Sequence, residues 1–239
     1  MNSINIFAPY ASNYDLKKQI SNIWFFFKGD TMYKLSLVLF SITFSGLTVL
    51  LSGCGGGNVY AEAPKFTSSS NDLSSGSFDA KYIANGFGCA GKNISPEIHW
   101  NNAPVGTKSF SVTVYDPDAP TGTGFYHWAV YNIPASANGL PQGAGNAPER
   151  LPTPAYGGAN DFQDTGVTGV NGNYGGPCPP IGDKPHTYLM TVWALDVTDI
   201  VATGGIPKTG TSALYGFVLN RGLGVHVLGK AVFTATYGR

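Results

Sequence analysis

Three short segments hold the side chains of this chain that are equipped for chemistry. The first, Asp116-Pro117-Asp118-Ala119-Pro120, sets two carboxylates among two prolines. Proline fixes φ, so such a turn holds its acidic side chains rigidly. The second, Phe125-Tyr126-His127-Trp128, puts an imidazole among aromatic rings where a strand begins. The third, Tyr174-Gly175-Gly176-Pro177-Cys178-Pro179-Pro180, leads through a short loop to His186-Thr187-Tyr188. Its glycines let a backbone approach a ligand, its prolines hold the loop open, and free amides in such a loop form an anion-binding nest. Taken singly, each segment has a plainer reading: a solvated turn, a hydrogen-bonded core histidine, a rigid connection. Together they bring two Asp, two His, a Tyr hydroxyl and a Gly-rich loop to strand boundaries. Carboxylates beside an imidazole raise its pKa and keep it cationic, so the set reads as a pocket for a small phosphate-like anion.

Strands must position these groups. Segment 109–115 (SFSVTVY) alternates apolar and polar residues, and 128–133 (WAVYNI) is rich in β-branched and aromatic side chains. Segment 187–195 (TYLMTVWAL) is apolar on both parities, which suits an interior strand buried on both faces. Segment 230–237 (KAVFTATY) reads as a closing strand. A helix is expected over 212–227, with Leu214, Phe217, Val218 and Val225 on one face, although Gly216, Gly222 and Gly224 weaken it. Residues 135–180 are mostly Gly, Pro, Asn and small side chains; so long a stretch without regular structure reads as functional.

Composition narrows the function. The 239 residues include 32 Gly and 16 Pro and only 12% charged side chains, which favours a β-dominated domain with long ordered loops. Formal net charge is zero and no basic run appears, which argues against a nucleic-acid partner.

In order and spacing the segments resemble the phosphatidylethanolamine-binding protein family, in its bacterial branch of Raf-kinase-inhibitor-like proteins. The resemblance rests on Asn93-Ile94-Ser95-Pro96 with Trp100, on Asp116 to Pro120, and on His127-Trp128 with Asn132-Ile133-Pro134. It continues through Tyr174 to Pro180, His186 with Tyr188, and the ending His226-Val227-Leu228 with Thr236-Tyr237-Gly238-Arg239. It implies a mainly β fold, an antiparallel sandwich of a large and a smaller sheet with a few peripheral helices. It also implies a small surface pocket for phosphate-like anions or phospholipid head groups, lined by Asp116, Asp118, His127, Gly176, Cys178, Pro179, His186 and Tyr188. A cis peptide in the first motif would fall at Ala119-Pro120. Two departures weaken anion binding: Thr187 stands where the family usually has Arg, and Asp183 adds an acidic group between the Pro pair and His186.

Ahead of this domain, expected over 66–239, the sequence reads as an export signal. Residues 1–31 look like a non-native or extended N-terminus, with Met32 the natural start. Residues 32–54 form a lipoprotein signal in which Leu51-Ser52-Gly53-Cys54 makes a lipobox. The uncharged stretch 35–51 is short of the ~20 residues a spanning helix needs. Residues 55–65 read as a flexible tether. Lipidation of Cys54 would place the domain in the cell envelope, on the periplasmic face of the outer membrane. It also leaves Cys89 and Cys178 as an even pair in an oxidising compartment, which favours a disulfide.

The function expected is therefore non-enzymatic anion or head-group binding that modulates a protein partner, with no cofactor and no metal. Two alternatives are an inhibitor-like protein acting on a protease or kinase through its Gly/Pro-rich loops, and a metal-dependent hydrolase using His127, His186 and an Asp. The absence of HExxH and G-x-S-x-G patterns counts against an enzyme.

Overall fold

The computed structural model describes residues 65–162 and 172–239. The expected signal, Cys54 and nearly all of the tether lie outside the described residues. Among the described residues ten strands follow one another: β1 (Thr67–Ser69), β2 (Asn85–Gly86), β3 (Cys89–Ala90), β4 (Ile98–Asn101), β5 (Ser109–Asp116), β6 (Phe125–Pro134), β7 (Gly139–Leu140), β8 (Tyr156–Gly157), β9 (His186–Leu195) and β10 (Val227–Tyr237). Two short helices, α1 (Ile200–Gly204) and α2 (Ser212–Phe217), lie between β9 and β10. The order β10-β9-β5-β6-β8 makes a five-stranded antiparallel sheet, β1-β4-β7 a three-stranded one, and β2-β3 a separate hairpin. This is the mainly β, two-sheet fold with few helices that the sequence indicated, and each of the four expected strands lies within an observed one.

Alternation of side chains across the large sheet explains its two cores. Phe110, Val112 and Val114 of β5, Trp128 and Val130 of β6, and Met190 and Val192 of β9 pack with Ile98 and Trp100 of the small sheet. Ala129, Tyr131, Trp193 and Leu195 face the other way and meet Ile200, Tyr215, Val218, Leu219 and Leu223. Tyr131 and Tyr215 stack with ring centroids 4.0 Å apart. Each fully buried side chain of this size contributes roughly 1.5–3 kcal/mol, so neither face of the sheet can be left open to water.

Two expectations about local structure are corrected. The helical segment does not run as one regular helix to Val227. After α2 it widens into a π turn, Val218–Gly222, and then a 3-10 turn, Gly224–His226. Tyr215, Val218, Leu219 and Leu223 are buried, while Phe217 and Val225 face solvent. The cis proline bond among the described residues is Thr153-Pro154, and Ala119-Pro120 is trans. The turn at 116–121 closes without it: the Asp116 carboxylate accepts from the amides of Asp118 and Ala119, and Thr121 N–H donates to Ala119 O.

The described residues of 135–180 include β7, β8 and 3-10 turns at Ala144–Asn146 and Pro148–Arg150, and Asn93 supplies much of their order. Asn93 takes a left-handed φ of 52°. Its Oδ1 accepts from Gly176 N–H at 2.7 Å, its Nδ2 donates to Tyr174 O at 3.3 Å, and its carbonyl accepts from Asn146 Nδ2 at 2.7 Å.

Asn132 performs a comparable task on β6. Phe110 pairs with Ile133 and Val112 with Val130, so β6 carries one residue more than β5 across that step. Asn132 sits in this bulge with φ 55°. It accepts from Ile200 N–H at 3.0 Å and donates to Asp199 Oδ1 at 3.3 Å, binding the start of α1 to the sheet. Valine there would strain the left-handed backbone and strand a buried amide. Asn132→Val should cost about 3 kcal/mol in urea unfolding; an unchanged midpoint would contradict this role.

Candidate functional site

Antiparallel order decides where the polar side chains meet. β5 ends at Asp116 opposite Phe125, the first residue of β6. β9 begins at His186, which is paired with Tyr237 at the end of β10. Four strand ends thus share one edge of the large sheet, and the motifs separated in sequence converge there.

Asp116 lies at the centre, 3% exposed. Its Oδ1 accepts from Asp118 N–H at 2.9 Å and Ala119 N–H at 3.1 Å. Its Oδ2 accepts from His186 Nδ1 at 2.7 Å and lies 4.0 Å from His127 Nε2. On its far side His186 Nε2 lies 3.5 Å from Asp183 Oδ2, so the acidic residue noted in the sequence does reach the site.

His127 donates from Nδ1 to Gly175 O at 2.8 Å, which fixes its orientation and leaves Nε2 toward Asp116. Phe125, Phe162 and Tyr188 surround the ring with centroids 5.0, 5.4 and 5.2 Å away. This aromatic enclosure strips water from the imidazole and pushes its pKa down to about 4, against the upward pull of the Gly175 carbonyl and the Asp116 charge. The expectation of an imidazole kept cationic by neighbouring carboxylates is therefore overturned at His127, because desolvation outweighs the charges. Tyr188 is fully buried beside it, and its hydroxyl completes no well-formed hydrogen bond among the described residues. Burial, followed by the Asp116 charge, pushes its phenol far above the ordinary range.

The Gly-rich loop does not present the free amide nest expected of it. Tyr174 N–H donates to Gly145 O, Gly175 N–H to His127 O, and Gly176 N–H to Asn93 Oδ1. Gly176 is glycine because a Cβ there would lie 2.3 Å from Tyr82 O. Cys178 is bonded to Cys89 as expected, closing 89 residues of chain and joining the loop to the β2-β3 hairpin. Such a crosslink stabilises by roughly 4 kcal/mol on the chain-entropy argument.

A cavity of about 330 Å³ opens over these groups. Of the residues expected to line it, Asp116, His127, Cys178, Pro179, His186 and Tyr188 do so. Asp118 and Gly176 do not. Asp118 is at the rim, accepting from Lys184 Nζ at 2.7 Å and from Thr187 N–H at 2.9 Å, and the Lys184 bond holds its carboxyl below the usual range. Sequence reasoning missed Phe87, Phe125, Phe162 and Arg239, which also line the cavity. Phe125 was within reach, since it shares strand parity with His127. Arg239 was also traceable, because a closing strand paired with β9 must end beside His186. Phe87 and Phe162 lie outside the strands, where no register could place them. Among the described residues no group of three or more His, Cys, Asp or Glu side chains is placed to hold a metal ion.

An antiparallel sandwich whose strand ends gather Asp, His and Tyr beside a Pro-rich loop defines a class of small-ligand-binding β proteins. The comparisons with known proteins agree: residues 74–238 match the phosphatidylethanolamine-binding protein family, and the chain belongs to that family. It is 46% identical to the Escherichia coli UPF0098 protein YbcL over 67% of this chain and 82% of that protein. It is 41% identical to E. coli YbhB over 70% of this chain and 97% of that protein. The crystal structure of YbcL, described as a new member of the mammalian PEBP family, superposes with a TM-score of 0.63 at 41% identity, covering 74% of this chain and 99% of that one. Mycobacterium tuberculosis LppC, whose name makes it a candidate lipoprotein, is 32% identical over 63% of this chain and 76% of that protein.

The depressed pKa of His127 has a consequence for stability. An unfolded chain takes up this proton near the ordinary value of 6.5, whereas the folded chain resists it down to about 4. The contribution is fully present above pH 6.5 and is lost as pH falls toward 4. Urea unfolding measured across that window should show wild-type stability falling with acid more steeply than that of His127→Asn. Parallel curves for the two proteins would contradict the assignment.

Proposed function

We propose that the cavity binds phosphate-like anions or phospholipid head groups without catalysing a reaction, and that binding brings a proton with it. The observation that carries this reading is the cavity floor. The Tyr188 hydroxyl is buried there without a well-formed hydrogen bond among the described residues, beside His127, whose Nε2 lies 4.0 Å from the Asp116 carboxylate. A buried polar group left unpaired costs about 1–3 kcal/mol, which a ligand recovers by pairing with it. Neutral His127 presents a bare acceptor, so on the floor itself a fully deprotonated anion would meet only Tyr188 as a donor. An anion that carries a proton, or that drives one onto His127, satisfies the floor.

The side chains at the cavity argue against nucleophilic catalysis. Cys178 is held in the disulfide, and the Thr121 hydroxyl donates to Gly124 O. His127 Nε2 points toward Asp116 instead of activating a hydroxyl or thiol. Membership of a family named for lipid binding supports a ligand-binding role, and modulation of a protein partner is compatible with the exposed mouth. An address in the cell envelope, with the domain tethered through Cys54, is supported by the lipobox, by the disulfide and by a lipoprotein name among the relatives.

Calorimetric titration of the Gly55-to-Arg239 domain with inorganic phosphate and with glycerophosphoethanolamine tests the reading. Saturable binding is expected to weaken as pH rises from 5 to 8, and His186→Ala should weaken it at least tenfold by loosening Asp116. Heats measured in buffers of different ionisation enthalpy should report net proton uptake from solution wherever phosphate arrives as the dianion. Affinity that stays flat with pH and persists in His186→Ala would place binding elsewhere.

A further inference from the structure

We propose that Arg239 is the anion-recognising cation of this cavity, a role that rests on the anion-binding reading above. The floor provides polar atoms but little positive charge. Asp116 is an acceptor, His127 is buried in a ring of aromatic side chains, and Asp183 approaches His186 from outside. At the rim, Lys184 is paired with Asp118, and Thr187 is neutral with its amide donated to the same carboxylate. Among the described residues that line the cavity, Arg239 is the one side chain with a fixed positive charge.

Its geometry suits the task. Tyr237, the last residue of β10, pairs with His186, so residue 239 emerges beside the site. Nε donates to Pro179 O at 2.6 Å and Nη2 donates to Phe87 O at 3.1 Å. These two carbonyls belong to the Pro-rich loop and the β2-β3 turn, the same two walls that the Cys89 and Cys178 bond joins. A guanidinium carries five N–H groups in a rigid fork. With two of them committed to carbonyls, the plane is locked and the rest remain for an oxyanion, without the entropy cost of ordering a long side chain. Gly88, at φ 82°, leaves the room this requires, since a Cβ there would lie 3.0 Å from Nη1. The recognised chemistry is a phosphate oxyanion, whether free or at the head of a lipid.

The test compares Arg239→Gln and Arg239→Lys in the full chain, titrated with inorganic phosphate and with glycerophosphoethanolamine beside melting curves. Arg239→Gln should weaken both ligands by about 10- to 100-fold, the range of a charge-assisted hydrogen bond. Arg239→Lys should recover part of that loss, and the dependence of affinity on ionic strength should fall in the Gln variant only. A loss confined to inorganic phosphate would assign Arg239 to the free ion, and a loss confined to glycerophosphoethanolamine to the head group; both keep the assignment. If the wild type binds and Arg239→Gln binds as tightly, the assignment is wrong while the cavity reading stands. Equal losses in both variants, matched by equal falls in melting temperature, would make Arg239 a clamp between the walls and overturn it as well. A wild-type protein that binds neither ligand would remove the underlying reading and this assignment together.

Discussion

The Asp116 carboxylate sits at the end of β5 with both oxygens engaged, one by two turn amides and the other by His186. Removing such a group from water costs several kcal/mol unless every lone pair finds a donor. Here the donors come from the turn that follows β5 and from the first residue of β9, so satisfying the charge also fixes where two strands end. The third neighbour, His127 at 4.0 Å, enters from β6. Strand order β9-β5-β6 is thus what the carboxylate requires and also what the apolar core independently favours.

Around this centre, polarity is arranged by depth. The deep part is aromatic and starved of water, and it holds its imidazole neutral. The rim is hydrated and carries pairs such as Lys184 with Asp118, worth little to stability at that exposure. Between them the walls are joined in two ways, by a covalent bond at Cys89 and Cys178 and by the guanidinium of Arg239. A preorganised mouth over a desolvated floor favours small ligands that bring both charge and a hydrogen-bond donor. Ligand size is bounded by the same walls, since about 330 Å³ lies at the small end of the range for small-molecule sites.

Much of this was legible in the sequence because strands declare themselves locally. Alternation in 109–115 and two-sided apolarity in 187–195 fixed β5 and β9 closely, and motif order then predicted that Asp116, His127 and His186 belong to one place. What was not legible depended on competition between terms or on distant partners. Carboxylates beside His127 suggested a raised pKa, but the enclosing ring of Phe162 comes from a loop 35 residues away, and burial won. The glycines of the 174–176 loop suggested free amides, yet Asn93 and Gly145 consume two of them. Asn93 itself was noticed only as part of a resemblance, since nothing local reveals that its side chain grips a loop some 80 residues later. The π turn after α2 likewise escaped a 3.6-residue periodicity, and Phe217 and Val225 face outward.

The most direct test of this account is the nitrogen-resolved NMR spectrum of the His127 ring at pH 7, recorded before and after saturation with phosphate. The free protein should show a neutral ring with its proton on Nδ1, held by Gly175 O, and a bare Nε2 whose resonance shifts as it takes up a hydrogen bond or a proton from the ligand. A ring already doubly protonated in the free protein, or one that phosphate leaves unmoved, would contradict it.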